Sequence, residues 1–386
     1  MNGIQIGILT LIRSAVTGQS SPLPADFRLE EAEKLIISHQ IVGLAYEGAV
    51  LCGIQKSEPV MGRLFQLYCQ ILFRSNMQLK AVDTLLSRFE ESGVDHLPVK
   101  GCLLKHLYPN PAMRVMTDAD ILIRMEQYDA VRAIVTDLGY TEGEVADHAF
   151  VWKGKTIELE LHRRLVPTTD ADYYSYIGTG WQRAVHQQGH RYGLRPEDMY
   201  LFLFVHFTKH YRGGGIGLRQ AVDLWVWHRA YPDMDRNYLA RELEKLGLTV
   251  FHSHIMAMLD MWFEEAAPTE RTAFISQFIF DSGSWGTKAQ RSIFEGYANA
   301  KKTGSAKTGR LRAALEMVFP GRLAMAGRYP VLHKAPWLLP FLWPVRWVTA
   351  LLFRRQNIRS CREKVGSMTA ENIDSFQQSL EYVGLS

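Results

Sequence analysis

The chain has little cysteine and little net charge. Its four cysteines, Cys52, Cys69, Cys102 and Cys361, are scattered over 386 residues without a C-x-x-C pair. That spacing argues against both a zinc site and a disulfide framework, and leaves reduced, mostly buried thiols. Lys and Arg number 44 against 40 Asp and Glu, a balance too mild to argue for a nucleic-acid partner. There is no internal repeat and no low-complexity tract, so a solenoid is not expected. The opening "MNGIQIGILTLIRSAV" is a short apolar run cut by Arg13; it lacks the basic start and long hydrophobic region of a secretory signal, and a cytoplasmic location is the expectation. The most apolar stretch, Ala335 to Phe353, reaches the ~20 residues a spanning helix needs, but Pro340, Pro344 and Arg346 interrupt it. It is read first as a buried or partner-facing helix pair and not as a transmembrane span. A membrane-surface or protein contact through Trp337 to Arg355 is the second reading, because Trp337, Trp343 and Trp347 with Arg354 and Arg355 suit an interface.

What is present is an ordinary globular composition, 47% apolar and 22% charged, in a chain long enough for two or three modules. Apolar residues at helical spacing run from Arg28 to about Val50, and a longer helix follows from Pro59 to Gly93, with Leu64, Tyr68, Ile71, Leu79, Val82, Leu86 and Phe89 along one stripe. After Gly93 the pattern changes to strand, short helix, strand, amphipathic helix and a hairpin around Gly154, which predicts a small mixed sheet with helices on a face. From Arg195 onward nearly everything reads as helix. The division expected is a helical region over 1–93, a core over 94–165, a helical region over 166–300 that completes a cleft, and a helical tail over 301–386. Thr303 to Gly309 is the best linker candidate.

Chemistry concentrates in "RVMTDADILIR". Residues i and i+2 of a strand share a face, so Asp118 and Asp120 stand together while Ala119, Ile121 and Ile123 turn the other way. Two neighbouring carboxylates repel, and partial burial sharpens the repulsion, so a cation is the natural remedy. In "TIELELH" the same alternation gathers Glu158, Glu160 and His162. If this strand lies beside the first, several carboxylates converge as Mg²⁺ requires, and two such ions can clamp the attacking and leaving oxygens of an in-line phosphoryl displacement. The competing reading is a solvated sheet face. A third element, "PVKGCLLKHLY", passes from strand to helix at Gly101, where exposed N–H groups with Lys100 beside them suit a phosphate; Arg114 offers a planar fork for the same purpose. His206 and His210 share a helix face and are read either as lining the site or as partly buried histidines, with a zinc pair lacking a third ligand. Lys209 and Arg212, next to the "GGGIG" stretch Gly213 to Gly217, are candidates for phosphate contact or for a helix end stabilised by its own dipole. Asp223, inside an apolar helix, is read as site-lining or as a partner of Arg219.

Together "LPVKGCLLKHLYPNPAMRVMTDADILI", "LGY", "IELELHRRL", "FVHFTKH" and "LRQAVDLWVW" resemble the uncharacterised nucleotidyltransferase family of the DNA polymerase beta superfamily, over about Arg28 to Tyr231. The resemblance implies an α+β fold with a polymerase-beta-like core between helical flanks, and an enzyme that moves a nucleoside monophosphate from an NTP, ATP among the candidates, to an acceptor hydroxyl with release of pyrophosphate. Asp118, Asp120 and Glu160 would hold two Mg²⁺ ions (or Mn²⁺), with Glu160 on the ion that activates the acceptor. Lys100, Gly101 and Arg114 would hold the triphosphate, and Glu158, His162, His206, Lys209, His210 and Asp223 would line the site. The acceptor is open among a small molecule, a peptide and a tRNA end. The chain departs from the superfamily in its turn, Lys100-Gly101-Cys102 in place of Gly-Ser. The alternative is a non-catalytic nucleotide-binding or partner-binding protein that keeps the fold.

Overall fold

The computed structural model describes residues 1–168, 170–284, 286–303, 315, 318–322, 325, 329–353, 366 and 368–385. The linker candidate lies outside these residues beyond its first position, as do Arg354, Arg355 and Cys361. The chain divides into two compact units, Met1–Thr208 with Gly217–Ser284, and Lys209–Ile216 with Trp285–Ser386.

In the first unit, helices α1 (Gly3–Thr17), α2 (Leu29–Ser38) and α3 (Val42–Leu51) precede α4 (Pro59–Glu91). α4 begins with Pro59 in its first turn, where the missing N–H costs nothing and the fixed φ favours helix. Its inward residues Val82, Leu85 and Phe89 are buried. They recur at three and four residues, the spacing that holds one helix face.

The sheet has seven strands in the order β3-β4-β5-β2-β1-β7-β6. These are β1 (His96–Pro98), β2 (Asp118–Ile123), β3 (Thr141–Val145), β4 (Ala149–Lys153), β5 (Glu158–His162), β6 (Ala184–Gln188) and β7 (Arg191–Leu194). β1 runs antiparallel to β2 and parallel to β7, β2 runs parallel to β5, and β3-β4-β5 is an antiparallel meander. The α+β class, the mixed sheet and the helical flanks are as the sequence predicts. The sheet is larger than expected: β3, β6 and β7 were not read from the sequence, and the last two fall in the stretch 166–300 taken as helical.

Pairing places the two faces of the sheet in different environments. Ala119, Ile121 and Ile123 of β2, with Leu159 and Leu161 of β5 and Trp152 of β4, are buried in one core with Val82, Leu85 and Phe89 of α4. Val131, Ile134 and Val135 of helix α5 (Tyr128–Asp137) complete that core. The alternate residues, including both aspartates, face away from it. Burying that apolar layer therefore fixes which side the carboxylates occupy, because a slip of one residue would exchange the two sets.

Beyond the sheet, helices α6 (Ala171–Ile177), α7 (Pro196–Arg212), α8 (Leu218–Ala230), α9 (Arg236–Lys245), α10 (Thr249–Phe263) and α11 (Glu270–Ser282) follow. In the second unit, the helix Lys288–Thr303 meets Ala370–Val383 through Phe294, Tyr297 and Phe376. The apolar stretch forms a short turn, Pro336–Leu338, and one helix, Leu339–Phe353. Among the described residues no helix is long and apolar enough to cross a membrane.

Candidate active site

β2 and β5 meet in register: Asp118 opposes Glu158, Asp120 opposes Glu160, and Leu122 opposes His162. Four carboxylates and a histidine therefore share one sheet face, the convergence that alternation in the two separate segments suggested. Asp120 is 3% exposed, and its Oδ1 accepts from Lys100 Nζ at 2.6 Å and from His162 Nε2 at 2.9 Å. Burial alone would raise its carboxyl, but the Lys100 ammonium and the His162 contact outweigh that and hold it well below the usual range. His162, also buried, lies 3.4 Å from Glu160 Oε2. Desolvation favours its neutral ring, yet the two carboxylates raise its proton affinity.

Asp118 differs. Burial raises its carboxyl, and the negative charge of Asp120 raises it further. The Thr117 hydroxyl donates to its Oδ1 at 3.0 Å. Negative potential thus remains beside Asp118 after Lys100 and His162 have paired with Asp120, and a divalent cation would relieve it. The donors are carboxylate oxygens, the ligands hard cations select, so the residues present fit Mg²⁺. Among the described residues, however, the group of three side chains whose ligand atoms all lie within 4.8 Å of one another is His148, Glu160 and His162. Neither Asp118 nor Asp120 is in that group.

The lysine-glycine turn has an unusual backbone. Lys100 has φ 47° and ψ −117°, the first central position of a type II′ turn, where glycine is the ordinary occupant. Cys102 N–H closes the turn on Val99 C=O at 3.2 Å. The conformation sends Lys100 toward Asp120, with its Nζ also 5.9 Å from the centre of the Phe202 ring. Such strain persists where the surroundings overdetermine it, often at functional sites. Gly101 is needed for close approach: a Cβ there would lie 2.7 Å from Arg114 Nη1 and 2.9 Å from Met116 Sδ.

Three of the groups assigned to the site are already engaged with other partners. The helix after the turn spans only Gly101–Leu104, and the N–H groups of Cys102, Leu103 and Leu104 donate to the carbonyls of Val99 and Lys100; those three are not offered to a phosphate. Arg114, expected to grip phosphate, is buried with its fork on Asp223, Nε to Oδ1 at 3.3 Å and Nη2 to Oδ2 at 3.0 Å. Asp223, weighed as a partner of Arg219, binds Arg114 and accepts from the Tyr108 hydroxyl at 2.8 Å; Arg219 donates to Val115 C=O at 2.6 Å and also feels the Asp223 charge. Cys102, which closes the turn, lies in the core, and burial pushes its thiol up to about 12.

His206 lies one turn along α7 from Phe202, on the same helix face, and is half-buried. Lys209 and His210, both half-buried, occupy the last turn of that helix and belong to the second unit. No pattern singled out His148, the first residue of the predicted hairpin, or Lys105, a fully buried lysine whose Nζ donates to Arg114 C=O at 2.8 Å.

The acidic strands β2 and β5 thus pair in register on one face of a mixed sheet, with Asp120 and His162 buried there. The profile of the family described as "Uncharacterised nucleotidyltransferase" matches residues 26–264, more than half of the chain, and the chain belongs to that family. No curated protein matches it. A solved structure, described as the solution structure of the antibiotic-resistance factor ANT(2'')-Ia with substrate-regulated conformation dynamics, is similar at 13% identity with a TM-score of 0.34. The likeness covers 48% of this chain and 97% of that one, and is too distant to carry an argument.

Proposed function

We propose that the chain is a Mg²⁺-dependent nucleotidyltransferase that moves a nucleoside monophosphate from an NTP to an acceptor hydroxyl and releases pyrophosphate. The observation that carries this reading is the cross-strand pair Asp120 and Glu160, in register on parallel strands, with the Lys100 ammonium 2.6 Å from Asp120. Asp118, Asp120 and Glu160 would hold the metal, which when bound supplies positive charge against the triphosphate and the attacking oxygen.

The chain's own residues do the positioning. Lys100, fixed by the strained turn, is the cation on the site face and the residue proposed to meet the polyphosphate. Arg114 acts one layer below: its guanidinium, pinned by Asp223, lies under Gly101 and holds the turn in place. His162 orients the Asp120 and Glu160 carboxylates. In the reaction a bond forms from the acceptor oxygen to the α-phosphorus as the bond to the pyrophosphate oxygen breaks. Little covalent chemistry falls to the protein, so the rate comes from placement and charge. The acceptor class stays open among small molecules, peptides and tRNA ends.

Incubation with labelled ATP, CTP, GTP and UTP, Mg²⁺ and candidate acceptors tests the proposal. Transfer or pyrophosphate release is expected from the wild-type chain, with Asp118→Asn and Asp120→Asn each reduced by about 10³-fold or more. Wild type and both variants behaving alike would overturn it.

A further inference from the structure

We infer that the second unit carries a docking surface for an anionic membrane, lying flat on the lipid and not crossing it. The first observation is a charge asymmetry hidden by the overall balance. Residues 301–365 contain 14 Lys and Arg against 2 Asp and Glu, a net charge of +12, while the remaining chain has 30 against 38, a net of −8. Segregation of charge on this scale points to a polyanionic partner.

The second observation is geometric. In the turn Pro336–Leu338 and the helix Leu339–Phe353, one side packs inward: Leu338, Leu339, Leu342 and Trp343 lie against Met325 and Leu332. Trp343 Nε1 donates to Pro320 C=O at 3.0 Å, and Trp347 Nε1 donates to Val318 C=O at 2.8 Å. The polar edges of these two indoles are thus used internally. The opposite side is Trp337, Pro340, Phe341, Pro344, Val345 and Val348, all exposed, with Trp337 at 69% and Phe341 at 67%. These positions recur at three and four residues and form one face without a polar member.

A strongly basic stretch of sequence that contains a continuous apolar stripe has the composition of an interfacial helix, in which aromatic and aliphatic groups enter the boundary of the acyl chains while Lys and Arg meet anionic headgroups. RNA, the other polyanion, would recruit flat rings and guanidinium groups for stacking. Pro340, Pro344, Val345 and Val348 offer it nothing to stack upon, so the composition of the stripe favours lipid. The inward packing, with Pro344 inside the helix, also fits a segment that rests on the surface.

The full-length chain is to be floated with vesicles of phosphatidylcholine mixed with phosphatidylglycerol, and with pure phosphatidylcholine vesicles, at low and at high salt. Association with the anionic vesicles is expected, weakened by salt and at least about tenfold weaker on the zwitterionic ones. Phe341→Asp and Val345→Asp, both at exposed positions, should each reduce anionic-vesicle binding by about tenfold or more, with helical circular dichroism and thermal unfolding unchanged. Absence of association at low salt overturns the inference. So does binding that both variants retain, or binding to single-stranded RNA and a tRNA in the absence of vesicle binding. None of these readouts depends on nucleotidyl transfer, so failure here leaves the proposed reaction standing, and the converse holds.

Discussion

Lys100 Nζ lies 2.6 Å from Asp120 Oδ1, on a backbone conformation that lysine rarely adopts. Burial weakens a lone ammonium, but here the Asp120 charge more than restores it, and the lysine's pKa is raised. Lys100 therefore already neutralises one of the carboxylates assigned to the metal.

The first prediction follows from that competition. Lys100→Met frees Asp120 of one cationic partner, so the apparent affinity for Mg²⁺ should rise by about tenfold, the equivalent of roughly 1.4 kcal/mol. Turnover with NTP should nevertheless fall by about 10²-fold, because a positioned cation is lost. Calorimetric titration with Mg²⁺ alone separates the two effects; an unchanged or weaker affinity would remove Lys100 from the role of competitor.

Asp118 predicts a conflict between stability and activity. Its carboxyl is raised by burial and by the charges of Asp120 and Glu160, so its ionised form is disfavoured in the folded chain. The folded state holds this proton more tightly than the unfolded state, and the residue's contribution to stability falls as pH rises from the unfolded pKa through the folded one. In EDTA at neutral pH, Asp118→Asn should be more stable by on the order of 1 kcal/mol, and its advantage should shrink as the solution is acidified. Urea unfolding between pH 4 and pH 7 measures this, and a variant less stable than wild type throughout would contradict it.

Arg114 and Asp223 form a buried pair with side chains 9% and 7% exposed. Asp223→Ala leaves the guanidinium without its carboxylate and should cost about 3–5 kcal/mol. The double variant Arg114→Met with Asp223→Leu should be more stable than Asp223→Ala alone, while nucleotide turnover stays low because the support under Gly101 is gone. Urea midpoints for the three proteins give the comparison; equal midpoints for the single and double variants would mean that the unpaired charge is not the source of the cost.

Lys105 is 1% exposed, and burial, reinforced by Arg114 and Arg219, lowers its pKa to about 8. The unfolded chain holds that proton more tightly, so the burden on folding is fully present below pH 8 and is relieved as pH rises toward the unfolded value near 10.5. The relief amounts to on the order of 3 kcal/mol. Lys105→Met should lack this alkaline gain, although it forfeits the hydrogen bond to Arg114 C=O. Denaturant unfolding of both proteins from pH 7 to pH 10 checks the slope, and parallel pH profiles would exclude the assignment.

The residues legible in sequence were those whose neighbours obey a short-range rule. Alternation located Asp118, Asp120 and Glu160 and the apolar layer behind them, because β2 and β5 each present one buried side. β6 carried no such signal: His186, Gln187 and Gln188 are exposed, so nothing apolar marks an inner face. Asp223 was read as site-lining or as a partner of Arg219 by helical proximity, and its ion pair with Arg114, 109 positions away, lies at a distance at which a single sequence gives no hint of pairing. The turn at Lys100 was found, but its direction was not. A lysine beside glycine reads as a phosphate contact, and only the fold shows that its first partner is an aspartate twenty positions on.

The parallel alignment of β2 and β5 has a consequence for how the protein fails. Parallel neighbours cannot be joined by a tight turn, so the chain from 124 to 157 makes an excursion through α5 and the outer strands before Glu160 returns beside Asp120. Mild denaturant that loosens this border would separate the acidic partners while the helices outside the core shared by α4, α5 and the sheet persist. The proposed transfer activity should then vanish at a lower urea concentration than the helical signal, making the meander, and not the acidic side chains themselves, the fragile control point of the site.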